Sequence, residues 1–254
     1  MWSAQSLPTA TAQQCPADIT GGAEARYRDD KPRSHRRRRW CENLPGDVTL
    51  VNMATASYHH GNLRQALLDH GVALARAGGP DAVVLRDVQR LAGVSNSAAY
   101  RHYADRHALL AAVQVYAMSE LGTRMLDALD QVSGRPSAAE RALARLRATG
   151  QAYVEFALAE PGLFRTAFAA VGQPGVDMVP ADHHPYQILC GCVDDLVSAG
   201  VLAEANRDGI DEAAWAAVHG LASLFLDGPL SEAASDRKHL ITERLLDVVG
   251  AGLR

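Results

Sequence analysis

The stretch "AGVSNSAAYRHYADRHALL", residues 92–110, decides how the rest of this 254-residue chain is read. Gly93 can take the left-handed backbone conformation that ends a helix. Ser95 can accept a backbone N–H as N-cap of a helix over about Asn96 to Tyr103, and Asp105 can do the same for one over about Arg106 to Leu121. Just upstream, a short helix over about Arg86 to Ala92 has Leu85, Val88 and Leu91 as its apolar side. Two short helices joined by a tight glycine-containing turn make a helix-turn-helix.

A helix that enters the roughly 12 Å major groove needs small or polar residues at its N-terminal end and donors along its exposed side. With Ser95 at the cap, Asn96, Ser97, Ala98, Tyr100, Arg101 and His102 meet that need. Asn pairs with adenine and Arg with guanine, while Tyr, His and Ser can also bond phosphate oxygens. Arg86 and Arg106, at the starts of the flanking helices, are expected to meet phosphates, and the spacing turns Tyr103 inward. Taken alone, the segment also reads as a polar surface helix.

The remainder reads as helix as well, because Ala, Leu and Val dominate, aromatics are 6% and no strand-like alternation persists. Leu63, Ala66, Leu67, His70, Leu74 and Ala77 form one stripe of an amphipathic helix that stops at Gly78-Gly79-Pro80. A weaker helix is expected near Thr123 to Val132, then a break at "SGRP". Ser137 to Glu140 has the form of a capping box and opens a helix to about Ala159. Pro161-Gly162 breaks it, a short helix carries Leu163, Phe164, Ala167 and Phe168, and "GQPGVDMVPADHHP" (172–185) reads as a flexible loop. Helices over about 185–199, about 210–226 and about Asp236 to Val249 complete the chain. The 210–226 segment is apolar on two sides and rich in small residues. Pairing it with 185–199 across two subunits, as a four-helix homodimer interface, would hide it.

Residues 1–57 lack periodicity and contain Pro8, Pro16, Pro32, Pro45 and the run "HRRRRW" at 35–40. They read as a disordered or untranslated extension, with Met53 an alternative start, or as an arginine-rich arm for nucleic acid. Charge divides along the chain. Residues 58–110 carry 6 Lys/Arg against 4 Asp/Glu, and residues 111–254 carry 11 against 19, so only one end suits a polyanion. Cys15, Cys41, Cys190 and Cys192 show no paired-ligand knuckle, and a reduced, cytoplasmic setting is expected. No apolar run nears the roughly 20 residues that span a bilayer, and no membrane partner is expected.

The functional candidates narrow accordingly. His59-His60 and His183-His184 are adjacent pairs without a partner cluster, so no metal and no cofactor is expected. No G-x-S-x-G elbow, phosphate-cradling glycine loop or H-E-x-x-H is present, so no enzyme is expected. Trp215 and His219, four apart on one helix face, read either as walls of a small-molecule pocket or as core, with His219 satisfying a buried carbonyl. The same two readings hold for Tyr153, Phe156, Phe164 and Phe168.

"YHHGNLRQALL" (58–68), "LRDVQRLAGVSNSAAYRHYADRHALL" (85–110) and "WAAVHGLASLFLDG" (215–228) together resemble the tetracycline-repressor (TetR) family, in the branch with a W-x-x-x-H-G signature. The resemblance covers nearly everything from Tyr58 onward. It implies an all-α protein, with an N-terminal three-helix DNA-binding domain over 58–121 (helix-turn-helix about 85–104) and a C-terminal helical domain over 122–254 for ligand binding and dimerisation. The expected partners are a double-stranded DNA operator, an unknown small-molecule effector and a second copy of the chain. Such a protein is a ligand-responsive repressor in which ligand moves the helix beginning at Arg106. The alternative is a ligand-sensing or partner-binding protein with a vestigial DNA domain. Departures from the family are Val84 where Ser or Thr usually caps the helix, His70 where a small apolar residue is usual, Tyr103 for Phe and Arg106 for Lys.

Overall fold

The computed structural model describes residues 63–134, 137–169 and 183–253, and among these every regular element is helical. The order is α1 (Leu63–Gly78), α2 (Leu85–Leu91), α3 (Asn96–Tyr100), α4 (Arg106–Asp130), α5 (Ala138–Ala159), α6 (Pro161–Ala167), α7 (Pro185–Ser198), α8 (Ile210–Leu226) and α9 (Ser235–Gly252). Single 3-10 turns lie at Pro80–Ala82 and Glu204–Asn206. The 1–57 extension, the "YHH" at 58–60 and most of the 172–185 loop fall outside the described residues.

Side chains that satisfy orphan backbone groups set the helix ends. Ser95 Oγ accepts the Ala98 N–H at 3.3 Å and Asp105 Oδ1 the Ala108 N–H at 2.8 Å. At α5, Ser137 Oγ accepts from Glu140 N–H at 3.1 Å while the Glu140 carboxylate accepts from Ser137 N–H at 3.2 Å, a complete capping box. Gly93 has φ +66° and closes α2 in a Schellman motif: its N–H reaches Arg90 O at 3.2 Å, and the Val94 N–H reaches Gln89 O at 3.1 Å. Val84 supplies no side-chain cap to α2.

Several expectations are corrected. The helix from Arg106 does not stop near Leu121. It runs unbroken to Asp130, and Gly122 within it is a point of close approach where the His183 carbonyl lies against it and leaves no room for a Cβ. On α1 the buried residues are Leu67, Gly71, Val72 and Ala75, whereas Ala77 is exposed. The stripe is rotated because Gly71, which an apolar pattern ignores, admits Val113 and Leu109 of α4, with a Cβ built there 3.0 Å from Val113 Cγ2. Leu91 is 51% exposed rather than packed beside Leu85 and Val88, and α3 ends at Tyr100 instead of Tyr103.

Helix α4 packs against α1, α5, α6 and α7. One buried cluster therefore runs from Leu67, Val88 and Ala99 through Leu109, Val113 and Leu121 to Tyr153, Phe164, Val218 and Phe225. A second joins Leu129, Ala142, Leu189, Val193 and Leu196. On α7 the exposed positions are Gln187, Gly191, Asp194 and Ser198, because its apolar residues are used against the rest of the chain. Apolar groups stay outward on α8 and α9, at Ala213, Leu224, Leu240 and Val248.

Gly162, at the start of α6, lies against the last-turn carbonyls of α1 at Ala75 and Arg76, where a Cβ would collide. Gly162→Ala is expected to lower stability by about 1–3 kcal/mol, the usual result of overpacking against backbone. Gly191→Ala, into open space in mid-helix, should be neutral or stabilising by up to about 1 kcal/mol. Urea unfolding of the two variants checks this, and equal midpoints would contradict the packing described.

Candidate nucleic-acid interface and aromatic cluster

The α3 segment is a five-residue helix held by the elements around it. Ala99 and Tyr103 point into the core. The Tyr103 hydroxyl donates to Arg64 O at 3.3 Å, and Arg64 in turn donates through Nη1 to His102 O at 2.9 Å with its guanidinium 4.7 Å above the Tyr103 ring. The start of α1 thus ties down the end of α3, and burial raises the Tyr103 hydroxyl pKa so that it stays a donor. Opposite that anchor, Asn96, Ser97, Tyr100 and Arg101 are exposed, with Ala98 and His102 half-buried beside them. Ser95 Oγ caps the helix and lies 3.2 Å from Ser97 Oγ. Arg86 is exposed at the start of α2.

Arg106 takes a different place from the one its position suggests. Its Nε donates to Val83 O at 2.9 Å and its Nη2 to Pro80 O at 2.7 Å, with Asp81 Oδ1 at 3.7 Å. These donors clamp the α1–α2 connection onto the start of α4, so phosphate contact by Arg106 would compete with two carbonyls. Neither Arg64 nor this clamp is legible from periodicity, because both act through backbone carbonyls that any sequence would supply.

In the C-terminal half, five of the six candidate pocket residues meet. Tyr153 of α5, Phe164 of α6, Phe168 just after it, and Trp215 and His219 of α8 have ring centroids 4.6 to 6.3 Å apart. Phe156 is buried in the same core with no ring contact to the others. Tyr186 of α7, not among the pocket candidates read from sequence, meets Trp215 with centroids 5.5 Å apart and planes tilted by 56°, and joins the group. His219 bonds a side chain, not a backbone carbonyl: its Nδ1 lies 2.8 Å from the Tyr153 hydroxyl, which also accepts the Trp215 Nε1–H at 3.2 Å. Burial holds the His219 imidazole below its ordinary pKa and drives that of the Tyr153 phenol upward, so both are neutral.

Helix α6 connects the two regions. Gln114 of α4 is buried and donates through Nε2 to Ala167 O at 3.0 Å and Ala169 O at 2.9 Å, capping the C-terminal end of α6 on either side of Phe168. The other end meets α1 at Gly162, beside the ion pair of Arg76 Nε with Glu160 at 3.4 Å. Among the described residues no group of three or more His, Cys, Asp or Glu side chains could hold a metal ion. His184 instead accepts the Tyr186 N–H through Nδ1 at 3.2 Å as N-cap of α7. No helix among the described residues is long and apolar enough to cross a membrane.

A family model for bacterial regulatory proteins of the tetR family matches residues 67–113, which include α2 and α3, and one for the tetracyclin repressor-like C-terminal domain matches residues 146–249. The chain belongs to the TetR family. It is a DNA-binding transcriptional regulator, not an enzyme. Its fold is similar to that of a Rhodococcus sp. RHA1 protein of unknown function, 31% identical over 77% of this chain and 97% of that one, with a TM-score of 0.63. It is also similar to a putative transcriptional regulator from Pseudomonas aeruginosa PAO1, 21% identical over 75% of this chain and 93% of that one, TM-score 0.53. A third similar structure is a TetR variant from Acinetobacter baumannii AYE in complex with minocycline, 16% identical over 73% and 93% of the two chains, TM-score 0.51. No significant match was found among curated proteins.

The depressed pKa of His219 gives this TetR-family regulator a pH signature. The unfolded chain begins to take up a proton near the ordinary histidine pKa of about 6.5, whereas the folded state resists it. The stabilising effect is therefore full above about pH 6.5 and is lost as pH falls towards the folded-state value. His184, shifted the same way by burial, adds to the slope. Thermal melts from pH 7.5 to 5 should show a shallower loss for His219→Gln than for the parent, and parallel curves would contradict the burial argument.

Proposed function

We propose that the regulator is a homodimeric, ligand-responsive repressor, with a DNA-binding domain over about 58–121 and a regulatory domain over about 122–254. The observation that carries the reading is the exposed row Asn96, Ser97, Tyr100 and Arg101 on a capped helix anchored from behind by Arg64 and Tyr103. Arg101 suits a bidentate contact to guanine and Asn96 one to adenine. Ser95, Ser97, Tyr100 and His102 suit phosphates or neighbouring base edges, Ala98 leaves room for the groove wall, and Arg86 meets the backbone from α2. Arg106 contributes by holding α2 and α4 in register.

A second copy covers α8 and α9 rather than the expected pair α7 and α8. Ala213, Ala217, Gly220 and Leu224 form one stripe at helical spacing on α8, and a Cβ added at Gly220 meets nothing within 4 Å, so another helix could approach closely. On α9 Leu240 is 43% and Val248 68% exposed, which a two-fold contact would bury. The exposed positions of α7 lack that apolar character.

The effector is a small molecule held by Tyr153, Phe164, Phe168, Trp215 and His219, with Phe156 behind them. Its arrival would shift Phe164 and Phe168, hence α6, and hence Gln114 and α4, which is continuous with the DNA-binding helices. A signal along this route needs α6 to have two arrangements, since a ligand shifts an equilibrium only through different contacts in its two states.

Gel shift on the region upstream of its own gene tests the reading. Arg101→Ala should weaken binding by about 1–3 kcal/mol at its base pair, and the loss should be specific to operator sequence. Leu240→Glu/Val248→Glu should sediment as a folded monomer and fail to give the parent shift. Absence of any shift at low salt would overturn the regulator's proposed operator binding and favour a ligand-sensing protein with a vestigial DNA domain.

A further inference from the structure

Three neutral groups in the aromatic cluster form a directed chain. The Trp215 indole can only donate, so the Tyr153 oxygen accepts from it. Were His219 to donate as well, the Tyr153 hydroxyl hydrogen would be left without an acceptor in a site where Tyr153 is only 3% exposed. A buried unsatisfied hydroxyl is unfavourable by about 1–3 kcal/mol. The arrangement that satisfies every group has Tyr153 donating to His219 Nδ1. Because the imidazole is neutral, its single proton is then on Nε2. No group among the described residues bonds Nε2.

Among the described residues the rings in contact with His219 are those of Tyr153, Phe164, Phe168 and Trp215, all uncharged, with Phe168 4.6 Å and Phe164 5.6 Å between ring centroids. The Phe164 ring is nearly parallel to the imidazole, 29° between planes, and Phe168 meets it edge-on at 69°. Two carboxylates, Glu212 and Asp211, act on the Tyr186 hydroxyl, whereas the His219 imidazole is shifted by burial alone. A fixed N–H donor set among aromatic faces selects by polarity as well as by shape, because a ligand lacking the matching acceptor leaves that donor unpaired.

We propose that the relay Trp215 to Tyr153 to His219 presents the His219 Nε2–H as a fixed donor, so that the effector is a flat, uncharged aromatic molecule bearing a hydrogen-bond acceptor such as a carbonyl. This rests on the reading of the aromatic cluster as the effector site. It assigns roles within that site: Trp215 and Tyr153 are positioning residues, and His219 touches the ligand.

Calorimetric titration of the full-length protein with three probes built on one ring system tests it: 2-acetylnaphthalene, 2-ethylnaphthalene and (2-naphthylmethyl)trimethylammonium. The ketone is expected to bind about tenfold more tightly than the ethyl compound, the size of one net hydrogen bond, and more tightly than the cation. His219→Phe should erase the ketone's advantage over 2-ethylnaphthalene. Independently of any variant, nitrogen-15 spectra of the parent at pH 7.5, with His219 identified through its contacts to the Tyr153 ring, should show Nδ1 without a proton and Nε2 with one. The Nε2–H proton should move downfield on adding the ketone. Equal binding of ketone and ethyl compound, a preference for the cation, or a proton on Nδ1 would overturn the proposed donor while leaving an effector site in the cluster standing. No binding by any of the three would overturn that site and the donor with it.

Discussion

Gln114 lies inside the protein halfway along the first half of α4, and a buried amide must find partners. It finds two carbonyls, Ala167 O and Ala169 O, at the end of α6. Much of the architecture depends on that contact and on the matching one at the other end of α6, where Gly162 admits the carbonyls of α1. A helix of only seven residues is marginal by itself. Pinned at its tail by α4 and at its head by α1, it becomes a strut between the aromatic cluster that Phe164 and Phe168 help to build and the helices that hold α3.

The same economy marks the DNA-binding end. The α3 helix is too short to persist alone, so its orientation is imposed by the Ser95 cap, by Ala99 and Tyr103 in the core, and by Arg64 on the His102 carbonyl. Arg106 repeats the device one turn later by holding the carbonyls of Pro80 and Val83. With two arginines used on backbone oxygens, Arg86 and Arg101 remain exposed and make no such contact to a backbone carbonyl.

Features that act locally were legible in the sequence. Ser95, Asp105 and Ser137 cap the helices they precede, Gly93 makes the turn, and α8 begins and ends at Ile210 and Leu226 as its apolar pattern indicates. Of the six residues read as possible pocket walls, Tyr153, Phe164, Phe168, Trp215 and His219 meet, while Phe156 lies in the same core without ring contact to them. What sequence could not show is where a glycine makes room instead of a break. Gly122 admits a carbonyl within an uninterrupted α4, and Gly71 admits a valine, so α1 turns a different side inward. Periodicity likewise cannot assign an arginine to a backbone carbonyl or a buried glutamine to the end of a distant helix. Apolar stripes alone pair the 210–226 and 185–199 helices across two subunits, and they do not show that the apolar side of α7 is already covered within the chain.

In the proposed function, α3 reads sequence and a symmetric dimer presents it twice. Sequencing the genomic DNA that the purified full-length protein retains at physiological salt tests this most directly. The retained fragments should share a two-fold symmetric element whose half-sites are about one helical turn, roughly 10 base pairs, or a multiple of it apart. Retention of fragments with no common element, in proportion to their length, would contradict it.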